Sequence, residues 1–188
     1  MIYFEIGPRQ DYAGYLPESE AGEIDDPRIP IENRRITPVL KEYLGDPPRK
    51  SRKKGDLHKS AYSFFLRSEA LEFFRHSCKD KIWTNATKIV SRENEHFFQV
   101  WVTNFVDCLD LQKTVSSPNR GLYKDKIGVI RRPVFDENRW DGSDLFVVPQ
   151  DPNYCFFCTD NFVKSWNEHK FQGAMFSRFL MDPEAILC

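Results

Sequence analysis

"NYCFFCTDNF", residues 153–162, sets Cys155 and Cys158 on either side of two phenylalanines and follows them with Thr159 and Asp160. Two readings compete for these ten residues. A redox C-x-x-C pair relies on a helix N-terminus to lower the pKa of its first thiol, and the motif normally opens that helix. Here the capping residue, Thr159, comes after both cysteines. A structural zinc site needs four ligands, usually as two close pairs, and the nearest histidine, His169, lies eleven residues beyond Cys158. The other reading is an apolar strand that runs straight into a helix, with Thr159 as N-cap and Asp160 at the positive end of the helix dipole. Phe162, Val163 and Trp166 then share one helical face. Three positions is an odd step along a strand, so Cys155 and Cys158 should point to opposite faces of the sheet. The strand–cap–helix reading is the one the spacing favours.

The same unit recurs upstream. "LRSEAL" (66–71) and "FCTDNF" (157–162) both read apolar, any residue, hydroxyl, acid, any residue, apolar. Ser68 is the expected cap of the first helix, over 68–78, with Glu69 in its first turn and Leu71, Phe74 and Cys78 along one face. The recurrence fits two similar strand–helix halves, and it also fits the plainer idea that capped helices start this way. Strands are expected at "MIYFEI" (1–6), "YSFFL" (62–66), "KIGVIRRPVF" (126–135) and "DLFVV" (144–148), and "GAMFSRFL" (173–180) closes the fold. "KIWTNATKIV" (81–90) and "EHFFQVWVTNF" (95–105), joined by "SREN", form a hairpin. The fold class is therefore α+β: a largely antiparallel sheet with two main capped helices.

At 188 residues with 14% aromatics, the chain can bury one sizeable core without disulfides or a metal. No basic leader followed by an apolar run opens it, and no stretch approaches about 18 uninterrupted apolar residues, so neither a signal peptide nor a membrane-spanning helix is expected. The five cysteines read as reduced thiols and the location as cytoplasmic. A net charge of −1 gives no global attraction to nucleic acid or membrane. Charge is nevertheless segregated: residues 10–32 hold seven acids against one base, and 33–59 hold nine bases against three acids. The basic part includes "RKSRKK" (49–54), which follows Pro47-Pro48 and reads as an extended, solvated loop or a phosphate-binding run. "PVLKEYL" (38–44) reads as one short helix.

None of the nucleophile-elbow, zincin, P-loop or dinucleotide motifs occurs. His58, His76, His96 and His169 are scattered. Asp107 and Asp110, three apart in "DCLDL", could meet at a metal, but they read more simply as a loop acid and a cap. No catalytic, cofactor-binding or metal-binding residue is expected. The acidic stretch suits steering of a basic partner, with Glu18, Glu20, Glu23, Asp25 and Asp26 as contacts and Tyr12 and Tyr15 as anchors. A solvated loop is its plain alternative.

Across residues 62–178 the chain resembles the immunity proteins of bacterial polymorphic toxin systems, a former domain of unknown function defined around a myxobacterial member. The resemblance rests on ordered motifs: "FLRSEALEFF" (65–74), "VTNFVDCLDLQKTVS" (102–116), "DGSDLFVV" (141–148), "FFCTDNFVKSW" (156–166) and "HKFQGAMF" (169–176). Thr159 stands where such proteins more often have serine, and residues 10–59 match no family pattern. The resemblance implies a single domain, with a variable charged segment over 1–60 packed on an α+β core over 61–188. It implies that Ser68, Asp107, Asp110, Phe146, Thr159, Asp160, Gly173 and Phe176 are fold positions: Phe146 and Phe176 filling the core, Gly173 supplying positive φ, and the two aspartates organising the loop after the hairpin. It also implies the function. The chain would be a non-enzymatic, cytoplasmic inhibitor that binds a cognate toxin effector domain, encoded next door and acting in the cytosol, and occludes its active site. Homo-oligomerisation is left open. The rival readings are an enzyme that reverses the toxin's modification, using Asp107 and Asp110 or Cys155, and a nucleic-acid-binding adaptor working through residues 49–54.

Overall fold

Twice among the described residues a strand becomes a helix with no intervening loop. β5 (Phe64–Arg67) runs into α1 (Ser68–Ser77), and β11 (Phe156–Thr159) runs into α2 (Asp160–Glu168). This is seen in a computed structural model that describes residues 3–8, 14–17, 39–43, 55–59, 63–89, 94–117, 127–151 and 155–177. The second junction forms as its residues dictate. Thr159 is extended, and its hydroxyl accepts the Phe162 amide at 3.2 Å while donating to the Asp144 carboxylate. That carboxylate also accepts the Asn161 side-chain amide at 2.7 Å. The first junction differs from expectation. The cap position falls on Arg67, which makes no side-chain capping bond, and Ser68 is already helical, its hydroxyl directed to the His96 carbonyl at 3.5 Å. Arg67 is held by its place in the ladder and by its bond to Asp56 at 3.0 Å, so the helix starts one residue earlier than the serine would set it.

The remaining strands are β1 (Tyr3–Pro8), β2 (Gly14–Pro17), β3 (Val39–Tyr43), β4 (Leu57–Lys59), β6 (Ile82–Ile89), β7 (Phe97–Val102), β8 (Val115–Ser116), β9 (Ile130–Arg132), β10 (Leu145–Val147) and β12 (Ala174–Ser177). One sheet orders them β10-β11-β1-β12, a second β2-β3-β6-β7-β5-β4, and β8-β9 form a two-stranded ribbon. Among the described strands every pairing is antiparallel except β3 with β6, which makes this the expected largely antiparallel α+β fold. The short helix expected over 38–44 is instead β3. Its backbone pairs on both sides, with β2 and with β6, and that ladder overrides the local helical pattern. The hairpin is β6–β7, with Trp83 directly opposite Trp101 and their rings 4.6 Å apart.

The apolar runs of β10 and β11 are continuous because both faces of their sheet are covered. Leu145, Val147, Phe156 and Cys158 point into the main core, shared with Leu57, Phe64 and Leu66 of the other sheet, Leu71 and Phe74 of α1, and Phe162 and Trp166 of α2. Phe146, Val148 and Phe157 point the other way, into a second core with Val106, Cys108, Leu109 and Ile130, against which Cys155 also packs. Cys155 and Cys158 thus lie on opposite faces, as the odd step requires. Burial holds the Cys158 thiol far above its ordinary pKa and pushes Cys78 and Cys108 up to about 12, so these three remain protonated.

Gly173 joins the two sheets. Its φ is +104°, and a Cβ there would sit 2.2 Å from the Leu57 carbonyl oxygen. Only glycine permits that approach. It lets Gln172 accept the Asp56 and Leu57 amides at 2.9 and 3.1 Å, while the Asp56 carboxylate takes the Gln172 amide at 2.9 Å. Phe146 is fully buried, and Phe176 is partly buried edge-on against Phe162 and Trp166.

Candidate partner-binding surface

After β7 the chain leaves the sheet and is pinned at once. Asn104, fully buried, donates from its side chain to Ser143 Oγ at 2.7 Å and to the Leu145 carbonyl at 3.0 Å. Its own carbonyl accepts the Val147 amide, and Val147 in turn accepts the Val106 amide. That fixed backbone leaves Phe105 projecting outward, 47% exposed. Asp107 is also on the surface, where its carboxylate accepts bonds from Arg139 and Gln150. Asp110 does what a turn aspartate does: its carboxylate accepts the Gln112 and Lys113 amides at 3.1 and 3.2 Å and pairs with the Lys113 ammonium at 2.9 Å. The hydrogen bond from Lys113 holds this carboxyl below its usual range. The two aspartates therefore build one loop, but each is satisfied by its own partners. The turn they hold sends Leu111 into solvent, 52% exposed.

The ribbon follows. Thr114 Oγ1 accepts the Val134 amide at 3.0 Å, and Val115 pairs with Arg132, but Ser116 pairs with Ile130. Arg131 is thus the extra residue of a β-bulge. A regular strand would alternate, burying one of any two neighbours. The bulge breaks the alternation: Ile130 is buried while Arg131 and Arg132 are both exposed. No acid among the described residues pairs with either guanidinium. Gly128 lets the strands close beyond the bulge, since a Cβ there would meet the Ser117 carbonyl oxygen at 2.0 Å. Ser117 and Val129 exchange bonds, the Ser117 amide donating to the Val129 carbonyl and the Val129 amide to Ser117 Oγ, both at 3.0 Å. Val115 and Val129 face outward on this ribbon.

The contacts expected from the acidic stretch, namely Tyr12, Glu18, Glu20, Glu23, Asp25 and Asp26, lie outside the described residues, as does the basic run 49–54. Tyr15 falls in β2, paired through its backbone with Glu42. The ribbon was not legible as a surface, because "KIGVIRRPVF" reads as one buried strand until the bulge is known. The available signal was charge: residues 113–132 carry six bases, Lys113, Arg120, Lys124, Lys126, Arg131 and Arg132, against one acid, Asp125. Among the described residues no three His, Cys, Asp or Glu side chains are grouped to hold a metal ion, and no helix is long and apolar enough to cross a membrane.

No protein-family model matches the chain, and no curated protein matches it.

Proposed function

We propose that this chain is an immunity protein: it binds a cognate toxin effector domain of a polymorphic toxin system and blocks it by occlusion, without turnover. The reading is carried by the ordered motif set over residues 62–178, and above all by "VTNFVDCLDLQKTVS" (102–116). That segment does more than fill the core. It alternates buried anchors, Asn104, Val106, Cys108 and Leu109, with the outward residues Phe105, Asp107 and Leu111. A rigid backbone carrying exposed apolar and charged side chains is what tight, pre-organised binding needs. The partner acts in the cytosol in this account, and the inhibitor contributes no catalytic residue.

The test is co-expression with the effector domain encoded beside this chain. The reading expects restored growth and a co-purifying complex. Rescue that persists without any complex would instead favour an enzyme that reverses the effector's product. Absence of both rescue and complex would remove the reading.

A further inference from the structure

The exposed large apolar side chains among the described residues are Phe105, Leu111, Val115 and Val129. Singly exposed apolar residues are ordinary, but contiguous ones mark interaction sites. All four fall between positions 105 and 129; Val115 lies on β8, and Val129, the residue before β9, exchanges bonds with Ser117, two residues along from Val115. Arg132 sits directly opposite Val115 in the ladder, and the bulge turns Arg131 outward beside it. The described residues of the ribbon's stretch of sequence, 113–117 and 127–132, carry three bases, Lys113, Arg131 and Arg132, and no acid, while the whole chain has a net charge of −1.

We propose that the β8–β9 ribbon is a contact surface for an acidic protein face with an apolar centre. The proposal rests on the reading of this chain as a binding protein and assigns its partner a chemistry. Three observations converge on it. The Arg131 and Arg132 guanidiniums, with which no acid among the described residues pairs, offer planar forks suited to carboxylates. Interface cores are apolar, enriched in arginine and depleted of lysine, and here two arginines stand beside the exposed Val115 and Val129. The bulge that exposes both arginines is a local backbone irregularity of the kind that re-aims side chains at functional sites. Nucleic acid would use the same positive charge, but it gains little from Leu111, Val115 and Val129, so a protein face is the better fit.

The test compares the full chain with R131E/R132E, R131Q/R132Q and V115S/V129S, all surface changes whose folding is checked by circular dichroism. Three probes are used: the neighbouring effector domain, a synthetic peptide of alternating Glu and Leu, and a 20-base-pair DNA duplex. With the effector, R131E/R132E should weaken binding at least about tenfold and R131Q/R132Q by less, since interface arginines are frequent anchors. V115S/V129S should weaken binding while leaving its salt dependence unchanged. Effector binding that ignores the arginine variants overturns this inference and leaves the immunity reading standing. If the effector is not bound at all, the immunity reading fails and the peptide decides. Salt-sensitive peptide binding lost in R131E/R132E supports the acidic-partner surface, and no peptide binding overturns it. DNA bound more tightly than the peptide through Arg131 and Arg132 also overturns it, in favour of a nucleic-acid ribbon.

Discussion

Replacing Thr159 with alanine tests the strand–cap–helix junction with a magnitude that the structure sets. The hydroxyl makes two bonds at a fully buried position: it accepts the Phe162 amide and donates to Asp144. Losing an N-cap costs about 1 kcal/mol, with a range of about 0.5–2. A hydrogen bond to a charged carboxylate is worth about 1.5–3 kcal/mol, and Asn161 stays in place to satisfy part of Asp144. T159A should therefore destabilise the fold by about 3 kcal/mol. With a urea m-value of about 1–3 kcal/mol/M, the unfolding midpoint should fall by about 1–3 M. T159S keeps both bonds and loses one methyl group, so its cost should stay below about 1 kcal/mol. A T159A/D144A cycle should show coupling of at least about 0.5 kcal/mol between the two side chains. Equal losses in T159S and T159A, or a T159A loss under about 0.5 kcal/mol, would mean that packing and not the hydroxyl sets this junction.

Gly173→Ala places a Cβ against the Leu57 carbonyl in a backbone region that costs about 1–2 kcal/mol on its own. The β4–β12 junction must then shift, so thermal denaturation should show a loss of at least about 2 kcal/mol, whereas a loss under about 1 would mean the two strands are free to separate. His58, stacked on Phe65, is pushed down to about 4 by burial. Below pH 6.5 the unfolded chain takes up a proton that the folded chain refuses until about pH 4, so this residue lowers stability as pH falls through that window. His58 keeps some contact with solvent, which limits the loss to on the order of 1–3 kcal/mol. H58Q should flatten the slope of urea-unfolding free energy between pH 6.5 and 4, and an unchanged slope would assign the acid sensitivity to carboxylates.

Much of the architecture was legible from local chemistry. Phe162 and Trp166 after Thr159, and Leu71 and Phe74 after Arg67, carry the helical period whatever packs on them. β6 and β7 announce themselves through β-branched and aromatic residues around a turn. What escaped was long-range. β3 is a strand because β2 and β6 pair with it, and nothing within 38–44 records those partners. The cap at Arg67 departs from Ser68 because the β5 ladder and Asp56 fix the strand's end. The candidate surface was half legible. Asp110 was recognisable as a loop builder, since turn aspartates act on amides two or three residues ahead; the Asp107 bonds to Arg139 and Gln150 are long-range and left no local mark. The paired exposure of Arg131 and Arg132 was not recognisable, because one bulged residue reverses the expected alternation and leaves no mark in the residue types.

The central claim is inhibition by stoichiometric occupation. It is tested most directly by titrating the purified chain into the neighbouring effector domain held well above the complex Kd while following effector activity. Occlusion predicts a linear fall that reaches zero at about one equivalent, with equimolar complex recovered by size exclusion. Complete protection at a small fraction of an equivalent, deepening with time, would contradict it and make this chain an enzyme.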